Sequence, residues 1–358
     1  MNLINGIQQV GLGCENFTQT WQWYIDHLGI DIRILEDDTV AERMLPYTDG
    51  KAQKRHACIA VSIQGGSGLE IWQYSERQPK AAEFIPSAGD LGIFAAKIRS
   101  VNIKRAHKQL SASYSNVGPL CTGPDGEPTF WLCDPWGNSL QFVQDKYVFM
   151  RTTRPSSGVC GACIGVTDMD KALKLYGNIL GYDKVVYDCE GEFEDFKFLC
   201  SAPGEKYRRV LIKPSEAPKG AFSKLYGPST IELVQCLSRS PRKIYEGRLW
   251  GDPGFIQLCF DVSDMRLLEK HLAANGYHFT VDSCPSGEIF DMGEASGHFT
   301  YIEDPDGTLI EFVQTHRVPI LKKLGLSINL DERSPYKPLP GWMLRMLRFK
   351  RVKKLVKK

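Results

Sequence analysis

The chain repeats parts of its own sequence, and this repetition constrains its fold more than any other feature. A helix-like segment that ends in Leu28-Gly29 returns in the second half of the chain, where it ends in Leu180-Gly181. An Asp-Pro-x-Gly tetrad followed by an apolar run begins at Asp134 and again at Asp304. Repeats of this kind are typical of duplicated supersecondary units. We therefore expect two related halves, joined by a linker near residues 146–157.

Each half contains two smaller units with the same pattern. An apolar strand opens the unit, an amphipathic helix follows, and two or three further strands complete it. The Asp-Pro-x-Gly tetrads predict turns between the last two strands, since proline presets one dihedral angle and glycine accepts a positive φ. The sequence thus predicts an α+β fold of four β-α-β-β-β modules, at residues 5–80, 89–146, 157–237 and 252–315.

Three of the modules end in an apolar run with a glutamate near its start, at Leu69–Gln73, Ile231–Gln235 and Ile310–Gln314. Together with the opening strands, the Leu-Gly helix ends and the Asp-Pro-x-Gly turns, these runs resemble the vicinal oxygen chelate superfamily. That family includes glyoxalase I, bleomycin-resistance proteins, methylmalonyl-CoA epimerase and the extradiol dioxygenases. The resemblance implies that modules pair into open β-sheet cups, and that a divalent metal ion binds inside a cup.

Pairing of consecutive modules, which follows family precedent, divides the chain into three parts. An N-terminal domain at 1–146 holds modules 1 and 2, a C-terminal domain at 157–315 holds modules 3 and 4, and a proline-rich extension with a basic tail occupies 316–358. The resemblance implies metal ligands of two kinds: a His or Gln on the first strand and a Glu on the last strand of each module. The corresponding pairs in this sequence are Gln9 and Glu70, Ile93 and Gln141, Gly161 and Glu232, and Gln257 and Glu311.

Under this pairing each cup lacks at least one ligand. We expect the C-terminal cup to bind metal through Glu232, Gln257 and Glu311, and the first cup to be degenerate. None of the eight positions is a histidine, which disfavours an iron dioxygenase with two histidines and a carboxylate. Oxygen ligands suit Mg²⁺ or Mn²⁺, while Fe, Ni and Zn stay open.

Such an ion would polarise an oxygenated small-molecule substrate, and a nearby carboxylate would serve as general base. We therefore expect an isomerase, epimerase or lyase, with Glu311, Glu232 and His298 as the catalytic residues. A glycine-rich segment before His298, at 286–297, is a candidate cover for the cup, or an ordinary surface hairpin. The alternatives are a metal-free protein that binds or sequesters an apolar ligand, a cofactor-independent enzyme and, least favoured, an iron-dependent dioxygenase.

The C-terminal tail differs in charge from the rest of the chain. Residues 341–358 hold eight basic side chains and no acidic one, whereas the remaining chain holds 36 basic and 42 acidic side chains. Apolar residues after Pro340 recur at steps of three and four, which predicts an amphipathic helix: Trp342, Met346, Phe349, Val352 and Val356. This pattern is typical of a helix that binds a membrane surface or a partner protein. Peripheral membrane contact would favour an apolar substrate, and a solvated lysine-rich tail is the alternative. The acidic body argues against a nucleic-acid partner.

The cysteines and the N-terminus bear on location. The eleven cysteines include a single CxxC, at Cys160 and Cys163, which is weak evidence for zinc or redox chemistry. No secretion signal or membrane-spanning run is recognisable. We expect a cytoplasmic protein with reduced thiols, peripheral at the inner membrane surface if the tail binds lipid. The oligomeric state is left open.

Overall fold

A computed structural model describes residues 3–199, 203–285, 290–291, 296–321 and 326–355 of the chain. It contains four modules in chain order. The first comprises β1 (Ile4–Gly13), α1 (Phe17–Leu28), β2 (Ile32–Val40), β3 (Lys54–Val61) and β4 (Gly68–Tyr74). The second comprises β5 (Gly92–Ser100), α2 (Ile103–Ser113), β6 (Cys121–Thr122), β7 (Pro128–Cys133) and β8 (Ser139–Gln144).

The second half repeats this order. The third module comprises β9 (Ser156–Gly165), α3 (Met169–Ala172) continued by a π-helix (Leu173–Ile179), β10 (Lys184–Gly191), β11 (Tyr207–Lys213), α4 (Ser223–Tyr226) and β12 (Thr230–Cys236). The fourth comprises β13 (Gly254–Val262), α5 (Met265–Ala273), β14 (Val281–Asp282), β15 (Phe290–Asp291), β16 (Ser296–Glu303) and β17 (Leu309–Leu321). The extension adds β18 (Leu326–Asn329), α6 (Gly341–Arg345) and a 3₁₀ helix (Met346–Lys350).

The same local chemistry starts the main helix of every module. A side-chain oxygen of the residue before the helix accepts a hydrogen bond from a backbone N–H of the first turn, which satisfies a group that has no partner within the helix. These capping residues are Asn16, Asn102, Asp168 and Asp264. The repeated caps explain why four helices begin at equivalent places, each directly after an opening strand.

The strands form two mixed sheets, and their order corrects the expected pairing of modules. One sheet runs β14-β16-β17-β13-β1-β4-β3-β2, so it joins the first module to the fourth. The other runs β10-β11-β12-β9-β5-β8-β7-β6 and joins the second module to the third. The opening strands meet antiparallel at each centre, β1 with β13 and β5 with β9. Each cup therefore combines strands from both of the predicted domains, 1–146 and 157–315.

Connection length gives a physical reason for this arrangement. The connections 75–91 and 237–253 are longer, and each crosses from one sheet to the other. The shorter connection 145–155 joins two modules within one sheet, because fewer residues span a shorter distance. We name the sheet of modules 1 and 4 cup A, and the sheet of modules 2 and 3 cup B.

One hydrophobic core joins the two cups. It contains side chains from the main helices and from strands of both sheets, including the buried Trp21, Tyr176 and Leu268. The predicted Asp-Pro-x-Gly turns are confirmed, and their aspartates fix neighbouring helices. The hydroxyl of Tyr24 donates to Asp134 at 2.8 Å, and that of Tyr176 donates to Asp304 at 2.9 Å.

Candidate functional site

Cup A brings together four of the eight ligand positions carried over from the resemblance. Gln9 lies on β1, Glu70 on β4, Gln257 on β13 and Glu311 on β17. The amide Nε2 of Gln9 donates to Oε2 of Glu70 at 3.2 Å and is 3.5 Å from Oε2 of Glu311. The amide Nε2 of Gln257 is 2.9 Å and 3.4 Å from the same two atoms. Two glutamines and two glutamates thus converge on one point at the centre of the sheet.

The strand pairing explains this convergence. Because β1 and β13 run antiparallel at the centre and each pairs in parallel with the last strand of its own module, related positions of the two modules face each other. Gly11 lies opposite Glu70 in this register. A Cβ atom at Gly11 would approach Oε1 of Gln257 to 2.5 Å, so glycine leaves the room that the amide occupies.

The two carboxylates lie in a poorly hydrated place and repel each other. Gln9, Gln257 and Glu311 are buried, and Glu70 is half-buried. Burial raises the pKa of Glu70, and the negative charge of Glu311 raises it further, while Arg55 opposes the shift. Burial likewise raises the pKa of Glu311, whose carboxylate accepts hydrogen bonds from Cys259, Tyr301 and the two amides. The pair therefore tends to hold a proton in the absence of a cation, and among the described residues no lysine or arginine forms an ion pair with either carboxylate, since Arg55 pairs with Asp37.

A cavity of about 360 Å³ opens beside this cluster. Gln9, Glu70 and Glu311 form part of its wall, together with Trp250 and Tyr301. The indole Nε1 of Trp250 donates to Oε1 of Gln257 at 3.2 Å and orients that amide. The cavity is of the size that small-molecule sites have in proteins.

The cluster fits a divalent cation by its donor chemistry. Two carboxylates and two amide oxygens are hard ligands of the kind that Mg²⁺ and Mn²⁺ prefer. Oε1 of Gln9 is buried and has no hydrogen-bond partner, which leaves one oxygen available for a further contact. Within the described residues, no group of three or more His, Cys, Asp or Glu side chains could hold a metal ion. Any site here therefore depends on the glutamine amides as well as the glutamates.

Glu232, predicted as a metal ligand and catalytic residue, does not join this cluster. It lies in cup B, fully buried, and pairs there with two cations. Its Oε2 is 2.7 Å from Nζ of Lys97, and its Oε1 accepts from Arg209 at 2.8 Å and from the hydroxyl of Tyr187 at 2.7 Å. Arg209 also binds Asp195 through two hydrogen bonds. The pKa of Glu232 is lowered well below its usual range because the charges of Arg209 and Lys97 outweigh the effect of burial.

Lys97 takes the central place in cup B. Its ammonium group contacts Glu232 and Gln141, which occupy the last-strand positions of their modules. The strand register also corrects one assignment: the residue of β5 that matches Gln257 is Ala95, not Ile93. With Ala95 and Gly161 at the first-strand positions, cup B offers no amide donors there. A lysine side chain supplies the positive charge at this centre.

His298, predicted as a catalytic residue, lies outside the cavity. Phe299 and Tyr301 on β16 line the cavity, and alternation along a strand turns His298 to the opposite face. Its Nε2 contacts Oδ1 of Asp282 at 2.5 Å, and the side chain is buried. Most of the segment predicted as a cover, 286–297, lies outside the described residues.

The predicted C-terminal helix is present but short. Its α-helical turn ends at Arg345, the 3₁₀ turn ends at Lys350, and the chain then extends along the edge of cup A. There the backbone N–H of Val352 donates to the carbonyl of Asp31 at 2.8 Å. Val356 lies outside the described residues. None of the described helices has the length and apolar character needed to cross a membrane.

Sequence reasoning named Gln9 and Glu70 but left them out of the metal site. Both residues had been matched to ligand positions, and the missing information was the pairing of the first module with the fourth. The cation of cup B was missed as well. Lys97, which follows the apolar run 93–96 and precedes Ile98, was the available signal.

Comparisons with known proteins place the fold. Residues 162–294 match the family described as the Glyoxalase/Bleomycin resistance protein/Dioxygenase superfamily. A search of the curated proteins found no matching sequence. Glyoxalase I from Zea mays is similar in structure, with 11% identity and a TM-score of 0.52 over 86% of this chain and 92% of that one. A putative dioxygenase from Bacillus subtilis has 14% identity and a TM-score of 0.56, over 88% of this chain and 86% of that one.

At these identities the two structures bear on the fold and not on the reaction. Both cover most of this chain, and the matched family segment begins in β9 and ends in the fourth module. The sequence match and the likeness in fold agree with the modules and cups described above. Over residues 162–294 the chain is similar in sequence to that superfamily, and over most of its length it shares the fold of these two structures.

Proposed function

We propose that the chain is a divalent-metal-dependent enzyme of the isomerase, epimerase or lyase type, and that cup A is its active site. The observation that carries this proposal is the convergence of Gln9, Glu70, Gln257 and Glu311 on one point beside a cavity. The substrate would be a small molecule with neighbouring oxygen atoms. The fold is shared with glyoxalase I of Zea mays, and the name of that enzyme is in line with the proposed reaction type.

Four side chains would hold the ion, through the carboxylates of Glu70 and Glu311 and through Oε1 of Gln9 and Gln257. When bound, a divalent ion supplies Lewis-acid polarisation of a substrate oxygen and neutralises charge that develops there. Without the ion, the amides of Gln9 and Gln257 hold the carboxylates in place, because each Nε2 reaches both of them. Ligation through Oε1 would require these amides to turn over. Tyr301 donates a hydrogen bond to Glu311 and so fixes that carboxylate further.

Glu70 is the residue we assign as general base. It is half-buried and borders the cavity, whereas Glu311 is buried and accepts from Tyr301 and Cys259. A carboxylate that borders the cavity can take a proton from a substrate and return it to a neighbouring atom. This proton movement is what isomerisation, epimerisation and lyase reactions share.

Cup B supports the proposal by contrast. There an ammonium group lies between the two last-strand positions, and Arg209 adds a second cation. Cup A has the same strand geometry and two glutamates at those positions, yet the residue of β13 that matches Lys97 is Cys259. The two cups thus differ in how their central negative charge can be neutralised.

Metal content tests this proposal. Protein purified without chelators or a metal-affinity tag would be analysed by elemental mass spectrometry as wild type, as Glu311→Gln and as Glu232→Gln, which makes the same change in cup B. We expect near-stoichiometric divalent metal in wild type and in Glu232→Gln, and little in Glu311→Gln. Circular dichroism would verify that both variants are folded.

Protein that is free of metal and does not bind added Mg²⁺, Mn²⁺, Fe²⁺, Ni²⁺ or Zn²⁺ would refute the metal-dependent enzyme. That outcome would favour the alternative, a metal-free protein that binds or sequesters an apolar ligand. Stoichiometric iron with O₂ consumption would instead favour a dioxygenase.

We also propose that the C-terminal segment touches the inner membrane surface from the cytoplasm. Three large apolar side chains, Trp342, Met346 and Phe349, are 64%, 54% and 70% exposed beside basic residues. Apolar side chains among cations bind the interface of anionic bilayers. Sedimentation with phosphatidylglycerol vesicles should fall in the double variant Trp342→Ser/Phe349→Ser and not in Ile85→Ser, which changes an exposed side chain elsewhere. Equal sedimentation of all three proteins would refute the contact.

A further inference from the structure

The C-terminal segment crosses the open side of cup A. It is attached at one end where the N–H of Leu339 donates to the carbonyl of Ala221 at 2.9 Å. At the other end Lys350 donates to the carbonyl of Ile34 at 3.1 Å, and Arg351 forms an ion pair with Asp31 at 3.2 Å. Residues 341–350 lie between these attachments, and we call this segment the roof.

The roof encloses a second cavity of about 380 Å³. Its walls come from Ile34 of β2 and Val61 of β3 in module 1, from Val318 of β17 in module 4 and Ile328 of β18 in the extension. Leu225 of α4 in module 3 also borders it. Met343 and Leu347 of the roof lie over it. Apolar side chains dominate this lining, so the cavity favours hydrocarbon over water. We call it the apolar chamber.

The apolar chamber adjoins the cavity of the candidate metal site. Four residues border both spaces: Gln8, Leu35, Ile59 and Val313. One of the two adjoining spaces presents Gln9, Glu70 and Glu311, and the other presents mainly aliphatic and aromatic side chains. A molecule that occupies both spaces would have an oxygenated head and an apolar body.

We propose that cup A binds an amphiphilic substrate, with its neighbouring oxygen atoms beside Glu70 and Glu311 and its hydrocarbon chain in the apolar chamber under the roof. The placement of the head rests on the proposed function, whereas the placement of the chain rests on the chamber alone. The exposed side chains at the edge of the roof, Trp342, Met346 and Phe349, also line the chamber. They form an apolar entrance of the kind through which a lipid-like molecule leaves a bilayer or a micelle.

A series of straight-chain hydroxamic acids, from acetohydroxamic to dodecanohydroxamic acid, tests the proposal. The hydroxamate group offers two neighbouring oxygens to a metal, and only the chain length varies. Binding to the full chain with Mn²⁺ would be measured by isothermal titration calorimetry. We expect affinity to rise about fourfold for each added methylene until the chamber is full, as transfer of CH₂ from water predicts.

Two variants and one matched control test where the hydrocarbon chain of the ligand binds. Leu347→Gln places an amide in the chamber and should weaken binding of the long-chain compounds about tenfold, with little effect on acetohydroxamic acid. Leu267→Gln makes the same change on the exposed face of α5 and should have no effect. Ile34→Phe fills part of the chamber. The affinity of this variant for the hydroxamic acids should stop rising at a shorter hydrocarbon chain than in wild type. Thermal unfolding would verify that each variant is folded.

The results separate this inference from the proposed function. Affinity that is independent of chain length, but lost in Glu311→Gln, would refute the chamber and leave the metal site standing. Affinity that rises with chain length equally with and without Mn²⁺, and equally in Glu311→Gln, would support the chamber and refute the metal-dependent function. Equal binding of long chains by Leu347→Gln and Leu267→Gln would overturn the placement under the roof.

Discussion

The same substitution should have opposite effects on stability in the two cups. Glu232 is fully buried between Lys97 and Arg209, so Glu232→Gln leaves two buried cations with one carboxylate fewer. Removal of one partner from a buried ion pair costs about 3–5 kcal/mol. An unfolding entropy of about 2.1 cal/mol/K per residue, over 358 residues, converts this loss into a fall in melting temperature of roughly 4–7 °C.

In metal-free protein, Glu311→Gln should stabilise the fold. Glu311 is buried, faces Glu70 and has a raised pKa, so its charged form costs free energy at alkaline pH. We therefore expect metal-free Glu311→Gln to unfold at a higher temperature than wild type at pH 8, and the difference to shrink as the pH is lowered. The introduced amide can donate to Glu70, which replaces repulsion with a hydrogen bond.

Differential scanning calorimetry of wild type, Glu232→Gln and Glu311→Gln in chelator at pH 8 measures both effects. A second set of scans with Mn²⁺ should raise the melting temperature of wild type and of Glu232→Gln, and leave that of Glu311→Gln unchanged. Glu232→Gln with wild-type stability would refute our account of cup B. A destabilised, metal-free Glu311→Gln would show that its hydrogen bonds outweigh the repulsion, and would refute our account of cup A.

Three further predictions follow from the buried polar groups. Burial raises the pKa of Asp261 to about 7, so between about pH 4 and 7 the folded chain holds more protons at this residue than the unfolded chain. The contribution of Asp261 to stability should therefore fall as the pH rises through this range. Thermal unfolding in chelator should show a smaller fall in Asp261→Asn. Trp250→Phe removes the indole donor to Gln257 and should lower metal affinity about tenfold in a competition titration, whereas Trp136→Phe, which changes a residue outside cup A, should not. Gln9→Ala should lower metal affinity at least as much, because it removes a ligand; equal affinity in all these variants would contradict the assignment of cup A.

Local sequence signals predicted the modules well because each signal acts within a few residues. An Asn or Asp directly before an amphipathic run starts each main helix, as Asn16 and Asp264 do. The Asp-Pro-x-Gly turns need only proline and a glycine with positive φ, which Gly137 and Gly307 supply. The predicted α+β fold and cups are confirmed for this reason, and so is the C-terminal helix.

The site was predicted only in part because it depends on contacts between distant segments. Gln9 and Glu311 are separated by 302 positions, and nothing local to either residue says that β1 pairs with β13. All opening strands have similar apolar sequences, so hydrophobic pattern alone cannot choose between the pairings. His298 was misplaced for a related reason: the face of a strand is decided by alternation and register, and a shift of one residue reverses it.

Duplication followed by divergence explains why one chain keeps two chemically different cups. In cup B the central charge is neutralised internally, because Lys97 and Arg209 hold Glu232 whether or not metal is present. In the described part of cup A no lysine or arginine forms an ion pair with Glu70 or Glu311, since Arg55 pairs with Asp37, and part of the stability of the fold there should depend on a bound cation. Because both cups pack on one hydrophobic core, cup B can hold the chain folded while cup A is empty. The central charges of cup B therefore stabilise the fold, whereas those of cup A remain available to bind a cation.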